Sequence, residues 1–384
     1  MATRLAALVL VVVLALAPPA SATWSIVLVD TKTGEVAIAA ATCLESLDLE
    51  QLLPVVIVGK GGAVAQSAID TAAKNRKKIF EQLQLGTPPA EILQIVLDGD
   101  PLKTTRQYGI VDMSLESVSY TGGAAGKAKK HVNGHFGTIA YAIQGNVLAG
   151  QEVVLAAEAA VQAASGSLAD RLMAGMAAAH DLGGDGRCSC SETAPDSCGA
   201  PPPSFEKSAH IAFAVVARPG DPDGVCNATA GCASGQYWLD LDVAGQQKED
   251  PDPVRQLLVL YEDFTLSLLG HPDGLLSSVT PPASEVAGDG ASFVDLQVEL
   301  HDASGRPLVH GGSTFTLEHA PGSAGLCSLA GVLDHHDGSY TVTLQSGLGT
   351  GTDVLELHVD DGERSATLYP FPTLTQVAAP AARR

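Results

Sequence analysis

Two apolar runs near the start of the chain, residues 24–29 and 35–41, limit the fold more than any other feature. The first is built mainly of Val, Ile, Leu and Trp and the second of Ala, Val and Ile, and neither alternates with polar residues. Thr31-Lys32-Thr33-Gly34 between them is a turn signal. A strand with one wet face alternates apolar and polar residues, whereas an unbroken apolar strand is covered on both faces. The pair reads as a hairpin that needs one layer above it and another below.

The segments that follow supply those layers. Residues 55–58 and 62–65 read as short strands around Gly59-Lys60-Gly61. Residues 66–85 read as a helix, because Ile69, Ala72, Ala73, Ile79, Phe80 and Leu83 recur at helical spacing and Gly86 stops it. A second helix starts at Thr87-Pro88-Pro89 and ends near Asp98-Gly99. Strands are expected at 108–112, 117–121 and 138–145, and helices at 150–164 and 168–181, the latter capped by Ser167. Strands at 210–217 and 237–243 precede a helix that Asp252-Pro253 opens and that runs to about 269. Paired helices around doubly buried strands predict an α+β domain over residues 23–269, a four-layer αββα sandwich.

The pattern then changes. Residues 270–290 are rich in Pro, Gly and Ser and read as a linker. Beyond it Val294, Leu296, Val298 and Leu300 interleave with Asp295, Gln297, Glu299 and His301, and similar alternation returns to residue 359. Residues 291–377 therefore predict an all-β sandwich, and 378–384 a disordered tail. His335-His336-Asp337-Gly338-Ser339-Tyr340 resembles the Asp-Gly-x-Tyr turn of bacterial immunoglobulin-like or filamin-like modules.

Residues 1–22 read as a secretory signal: Arg4, an apolar stretch from Leu5 to Ala17, two prolines, and the small-residue pattern Ala20-x-Ala22. No later run is long enough for a membrane helix, so a secreted or periplasmic location without an integral membrane segment after cleavage is expected. Seven Cys fit an oxidising compartment. Cys226 with Cys232, and Cys198 with either Cys188 or Cys190, are the candidate disulfides, in insertions near 220–235 and 187–207. A zinc site is the alternative, disfavoured because Cys188-x-Cys190 is not the usual two-residue knuckle, and no metal is assigned. Cys327 stands alone. The formal charge of -21 argues against a nucleic-acid partner. No phosphate loop, dinucleotide fingerprint or Gly-x-Ser-x-Gly elbow is present, and no cofactor is expected.

An ordered series of motifs adds to this reading. Thr23-Trp24-Ser25-Ile26-Val27, Gly62-Ala63-Val64-Ala65-Gln66, Arg106-Gln107-x-Gly109-Ile110-Val111-Asp112, Tyr120-Thr121-Gly122, Gln144-Gly145-Asn146-x-Leu148-x-Gly150, Gly183-Gly184-Asp185 and Tyr237-Trp238-Leu239-Asp240-Leu241 span the first domain. In that order they resemble the bacterial and archaeal family called domain of unknown function 1028, whose fold is placed with the N-terminal nucleophile (Ntn) hydrolases. Where the family often has Ala-Ser-Arg after its second strand, this chain has Ala41-Thr42-Cys43, which puts a cation there in doubt.

The resemblance implies a chemistry. An Ntn hydrolase uses the side chain of its first residue as nucleophile and that residue's α-amine as base. Cleavage after Ala22 would make Thr23 both at once. Asn146 is the candidate oxyanion donor, Thr42 a neighbour, Asp185 a partner for the α-ammonium, and Gln66 and Gln144 substrate contacts. Each has a plainer reading: Asn146 and Asp185 as turn or cap residues, Gln66 as a helix start, Thr42 as a strand residue, Arg106 as an ion-pair partner. Lys60 is a further catalytic option. Two functions follow: an exported amidohydrolase acting on a small amide or a peptide- or peptidoglycan-like substrate, or a non-catalytic secreted binding protein that uses the same fold as a scaffold.

Overall fold

The computed structural model describes residues 23–281 and 285–379. The expected leader, residues 1–22, and residues 380–384 of the expected tail lie outside the described residues. The N-terminal strands are β1 (Thr23–Asp30), β2 (Glu35–Thr42), β3 (Pro54–Ile57), β4 (Gly61–Ser67), β5 (Arg106–Asp112), β6 (Ser117–Thr121), β7 (Lys130–Phe136), β8 (Ile139–Asn146), β9 (Ile211–Ala217) and β10 (Leu239–Val243). The helices are α1 (Leu49–Leu52), α2 (Lys74–Gln84), α3 (Pro89–Gly99), α4 (Glu152–Ala163), α5 (Leu168–Asp181), α6 (Gly186–Ser189) and α7 (Pro253–Leu266). The strands form a six-stranded sheet, β10-β9-β2-β1-β8-β7, and a four-stranded sheet, β3-β4-β5-β6.

The doubly buried hairpin explains how they stack. Trp24, Ile26 and Leu28 pack with Val153 and Val161 of α4, Leu172 and Met176 of α5, and Val254 and Leu257 of α7. Val27 and Val29 point the other way and pack with Val56, Val64 and Val111 of the second sheet. That sheet's far face, including Ala63, Tyr108 and Ile110, is covered by Ile79, Phe80 and Leu83 of α2 and Ile92 and Val96 of α3. The domain is mixed α/β.

Local chemistry moved some boundaries. The helix expected over 66–85 begins at Lys74. Gln66 and Ser67 still belong to β4, paired with Gln107 and Arg106. Asp70 then turns the chain, its carboxylate accepting from the Asn75 N–H at 2.6 Å. β7 was not expected, since Lys-His-Val-Asn-Gly-His-Phe offers only Val132 and Phe136 as large apolar residues; both pack on the helix-side core, and the strand pairs with β8 along its whole length. Helix α5 carries a reciprocal capping box between Ser167 and Asp170, and the Asp252 side chain caps α7.

The C-terminal part is all β: β11 (Ser278–Thr280), β12 (Glu285–Ala287), β13 (Phe293–Glu299), β14 (Thr314–His319), β15 (Ser328–Asp334), β16 (Ser339–Gln345), β17 (Gly351–Asp360), β18 (Ser365–Leu368) and β19 (Thr373–Val377). One sheet is β11-β13-β16-β15; the other is β12-β19-β17-β14, with β18 also on β17. Val294, Leu296 and Val298 of β13 point into the core between them, and Asp295, Gln297 and Glu299 point out. The 270–290 segment read as a linker contributes β11 and β12 to these sheets.

Three disulfides are present: Cys43–Cys188, Cys190–Cys198 and Cys226–Cys232. Cys327 is a buried free thiol. The first bridge closes a loop of 145 residues, a constraint that a loop-closure model values at roughly 5 kcal/mol of unfolded-chain entropy. Among the described residues no helix is long and apolar enough to cross a membrane.

One acidic contact makes stability depend on pH. Burial first, then the charges of Asp240, Asp242 and Asp48, hold the Glu50 carboxyl of α1 well above the usual carboxylate range. A carboxyl raised by folding keeps its proton in the native state and loses it in the unfolded chain. The stability that this carboxyl contributes is therefore fullest below about pH 4.3, the ordinary Glu value, and declines as pH rises toward the raised one. Glu50→Gln removes that titration. In calorimetry at low salt its melting temperature is expected to match the parent near pH 4 and exceed it at pH 8, by about 2–4 °C per kcal/mol recovered.

Candidate functional site

Thr23 opens β1 and is fully buried. Its partner across the ladder on β8 is Asn146. On the other side the register pairs Trp24 with Ala41, so Thr42 stands one step further along β2, level with Thr23. Residues at one level of neighbouring strands share a face. Trp24 faces the helices, so Thr23 faces the second sheet. Thr42, Thr23 and Asn146 thus form a buried row across three strands, at one end of the space between the sheets.

That end is polar because five strands send in side chains that can hydrogen-bond. Ser25 Oγ donates to Gln66 Oε1 at 2.6 Å. Gln66 Nε2 donates to the Thr23 carbonyl and to Gln107 Oε1, each at 3.0 Å. Gln107 Nε2 in turn donates to the Gly145 carbonyl and Thr121 Oγ1, each at 2.9 Å. Gln144 Nε2 donates to Ser25 Oγ, and Asn146 Nδ2 to Ser67 Oγ. Gly109 makes room for this network, since a Cβ there would lie 2.1 Å from Gln144 Oε1. All three glutamines are fully buried. In so dry a space each bond is strong, and each lost one leaves a costly orphan.

A second cluster lies beyond Thr42. Asp185 is fully buried and its carboxylate is fully used. Oδ2 accepts from the Cys43 N–H at 2.7 Å and from Arg187 Nη2 at 2.8 Å; Oδ1 accepts from the Arg187 N–H at 3.0 Å. The turn before it presses on β1: Gly184 has φ +51°, and a Cβ there would lie 2.5 Å from the Trp24 ring. Ala41-Thr42-Cys43 lacks a cation in sequence, but the Cys43–Cys188 bridge fixes Arg187 beside the end of β2. The charge arrives from a segment distant in sequence.

A cavity of about 700 Å³ opens next to this cluster, lined by Cys43, Arg187, Cys188, His210, Lys207 and Phe205 among others. Thr23, Gln66, Gln144 and Asn146 do not line it. Burial first, then the Lys207 charge, lower the His210 pKa and favour its neutral ring. Lys60 sits in the turn before β4, six residues from Gln66, or about 20 Å of extended strand from the Thr23 carbonyl. Arg106 forms a buried ion pair with Asp100 at 3.0 Å.

Sequence reading also missed a Ser-His-Asp contact. Ser208 Oγ donates to Asp252 Oδ2 at 2.9 Å and lies 2.8 Å from His180 Nδ1. Arg255 Nε donates to His180 Nε2 at 3.2 Å, which leaves the ring proton on Nδ1. The ring therefore donates toward Ser208 and takes no proton from it, so the cluster is wired for structure and not for nucleophilic attack. Burial works against the Asp252 charge, but bonds from His180 and the Ser208 N–H outweigh it and hold the carboxyl down at about 2.

Residues 23–194 match the model of a family of unknown function, DUF1028. This part of the chain resembles a DUF1028 domain. Residues 274–369 match the model of invasin domain 3, an immunoglobulin-like module. A DUF1028 protein from Silicibacter pomeroyi of solved structure is 21% identical, with a TM-score of 0.46 over 64% of this chain and 87% of that one. The chain is similar over 27% of its length to 27% of the Yersinia pseudotuberculosis adhesin InvE, at 25% identity and a TM-score of 0.21. InvD of the same organism is 22% identical, with a TM-score of 0.22 over 28% of this chain and 30% of that one. This chain thus spans under a third of either Yersinia protein. A comparison with curated proteins finds no match. Within the residues that match DUF1028, Gln107 belongs to the Thr23 network although its motif offered only a spacing.

Gln66→Met keeps the length of the side chain and removes every bond it makes. The Thr23 carbonyl, Ser25 and Gln107 then lose a buried partner. Urea unfolding is expected to show a loss of about 1–3 kcal/mol relative to the parent, and Gln94→Met on the exposed face of α3 no measurable loss.

Proposed function

We propose that the chain is an exported N-terminal-nucleophile amidohydrolase, with its first domain an αββα sandwich of the Ntn kind. The observation that carries this reading is the buried row Thr42–Thr23–Asn146 at the residue that cleavage after Ala22 would expose. In the uncut chain the Thr23 nitrogen is an amide and cannot act as base. The cut converts it to an amine with a pKa near 8, of which an appreciable share is neutral at working pH.

The amine takes the Thr23 hydroxyl proton while the oxygen attacks an amide carbon. The oxyanion is received by Asn146 Nδ2 and backbone N–H groups around Gly145. The leaving amine takes the proton, and water then releases the acid from the Thr23 ester. Gln66 holds the Thr23 carbonyl and so fixes the residue's rotation about β1. Asp185, with Arg187, sets the charge beside the amine. The substrate is a small amide or a peptide- or peptidoglycan-like bond, and the immunoglobulin-like module serves as a surface adaptor. No metal or organic cofactor takes part in this scheme.

The second reading is a non-catalytic surface protein built on the same scaffold. The invasin domain 3 match favours it, as does the position of the 700 Å³ cavity away from Thr23. The two separate under electrophiles. A chain beginning at Thr23, treated with a β-lactone and with an epoxyketone, is expected to gain one adduct by intact mass. Thr23→Ala, and a chain that retains Ala22, are expected to gain none. Failure of the Thr23 chain to react with either reagent would favour the scaffold.

A further inference from the structure

Three possible metal ligands converge at one end of the C-terminal sandwich. His319 ends β14, Cys327 immediately precedes β15, and Asp353 lies in β17. Cys327 Sγ is 3.7 Å from His319 Nε2, and His319 Nε2 is 4.0 Å from Asp353 Oδ2. Cys327 is 3% exposed and Asp353 is fully buried, while the His319 side chain is 25% exposed and leaves a way in. A tetrahedral zinc ion with Zn–S near 2.3 Å and Zn–N and Zn–O near 2.0–2.2 Å sets its S and N ligands about 3.6 Å apart and its N and O ligands about 3.4 Å apart. The sulfur–nitrogen separation already fits, and the other needs His319 to move by about half an ångström toward Asp353.

The surroundings form a built outer shell. Asp353 Oδ2 accepts from the Cys327 N–H at 2.8 Å and the Leu326 N–H at 3.2 Å; Oδ1 accepts from the Leu326 N–H at 3.0 Å and Ser323 Oγ at 3.3 Å. These bonds fix the carboxylate before any ion arrives. Gln376 of β19, 1% exposed, donates through Nε2 to the same Oδ2 at 3.2 Å. Its Oε1 is buried and finds no donor among the described residues. A buried acceptor without a donor, one amide away from three ligand atoms, calls for a donor that the protein does not supply. Water on a fourth zinc position is such a donor.

We infer that His319, Cys327 and Asp353 form a zinc site that fastens β14 and the entry to β15 onto β17, with water as fourth ligand. Binding deprotonates the Cys327 thiol, and that proton leaves to solvent. The donor set of one thiolate, one imidazole and one carboxylate suits zinc over the hard cations, which take oxygen alone. Two other groups could compete. Cys43, Cys188 and His210 also cluster, but both sulfurs are tied in a disulfide. Glu318, Glu356 and His358 have no sulfur and lie on the opposite face of β14 and β17. The site owes nothing to Thr23 chemistry.

The full exported chain, disulfides intact, is to be dialysed against zinc chloride and then against metal-free buffer, and its zinc measured by elemental mass spectrometry. One zinc per chain is expected, falling at least tenfold in Cys327→Ser and in His319→Ala and retained in His358→Ala. Zinc should slow the reaction of the Cys327 thiol with a disulfide reagent at least tenfold, and a chelator should restore it. His319→Ala changes a partly exposed residue at a strand end, so it reports on the site even where Cys327→Ser fails to fold. No bound zinc in the parent, zinc kept by His319→Ala, or zinc lost in His358→Ala would each overturn the assignment.

Discussion

The hydrogen bond from Gln66 to the Thr23 carbonyl is the contact on which the rest of the first domain's polar end depends. It crosses from one sheet to the other where their packing would otherwise be apolar. Further along β1 the sheets meet through Val27, Val29 and their partners, contacts that any similar side chains could make. A directional bond between buried amides is less tolerant. It sets how deep β4 slides past β1, and through Gln107 and the Gly145 carbonyl it also fixes the end of β8. Thr23 and Asn146 stand level through their ladder pairing, and two glutamines hold both strand ends to the second sheet.

An acidic chain spends its few cations with care. Arg218 sits with its guanidinium 3.5 Å above the Trp238 ring and pairs with Glu35 and Asp273, each at 2.9 Å. Glu35 begins β2 and Asp273 precedes β11, so one arginine fastens the hairpin of the first domain to the entry of the second. Arg364 reaches back to Ser267 at the end of α7, at 2.7 Å. Gly220 lets the faces close further, since a Cβ there would lie 2.4 Å from the Thr367 side chain. An immunoglobulin-like module held this way keeps a fixed direction relative to the first domain.

Much of this was legible because burial leaves its mark on composition. The hairpin of β1 and β2 announced itself by unbroken apolar runs, β13 by strict alternation, and α5 and α7 by their caps. Gln66 was misplaced because a helical pattern beginning at Ile69 continued smoothly from it, and only Asp70 and the pairing with Gln107 end the strand first. Gln107 could not be read as a site residue, since a lone glutamine in a strand looks like any polar interruption. The Cys43–Cys188 bridge was invisible for a different reason: its partners are 145 residues apart, and local spacing carries no trace of such a contact. Arg187 became part of the site only through that bridge.

Everything proposed for Thr23 rests on where the mature chain begins. The intact mass and N-terminal sequence of the exported protein, taken from culture without added protease inhibitors, measure this directly. The account predicts a single species that starts at Thr23, with a mass equal to residues 23–384 less six hydrogens for three disulfides. A mature chain that starts at any other residue would contradict it, because Thr23 would then lack the free amine that makes it a nucleophile.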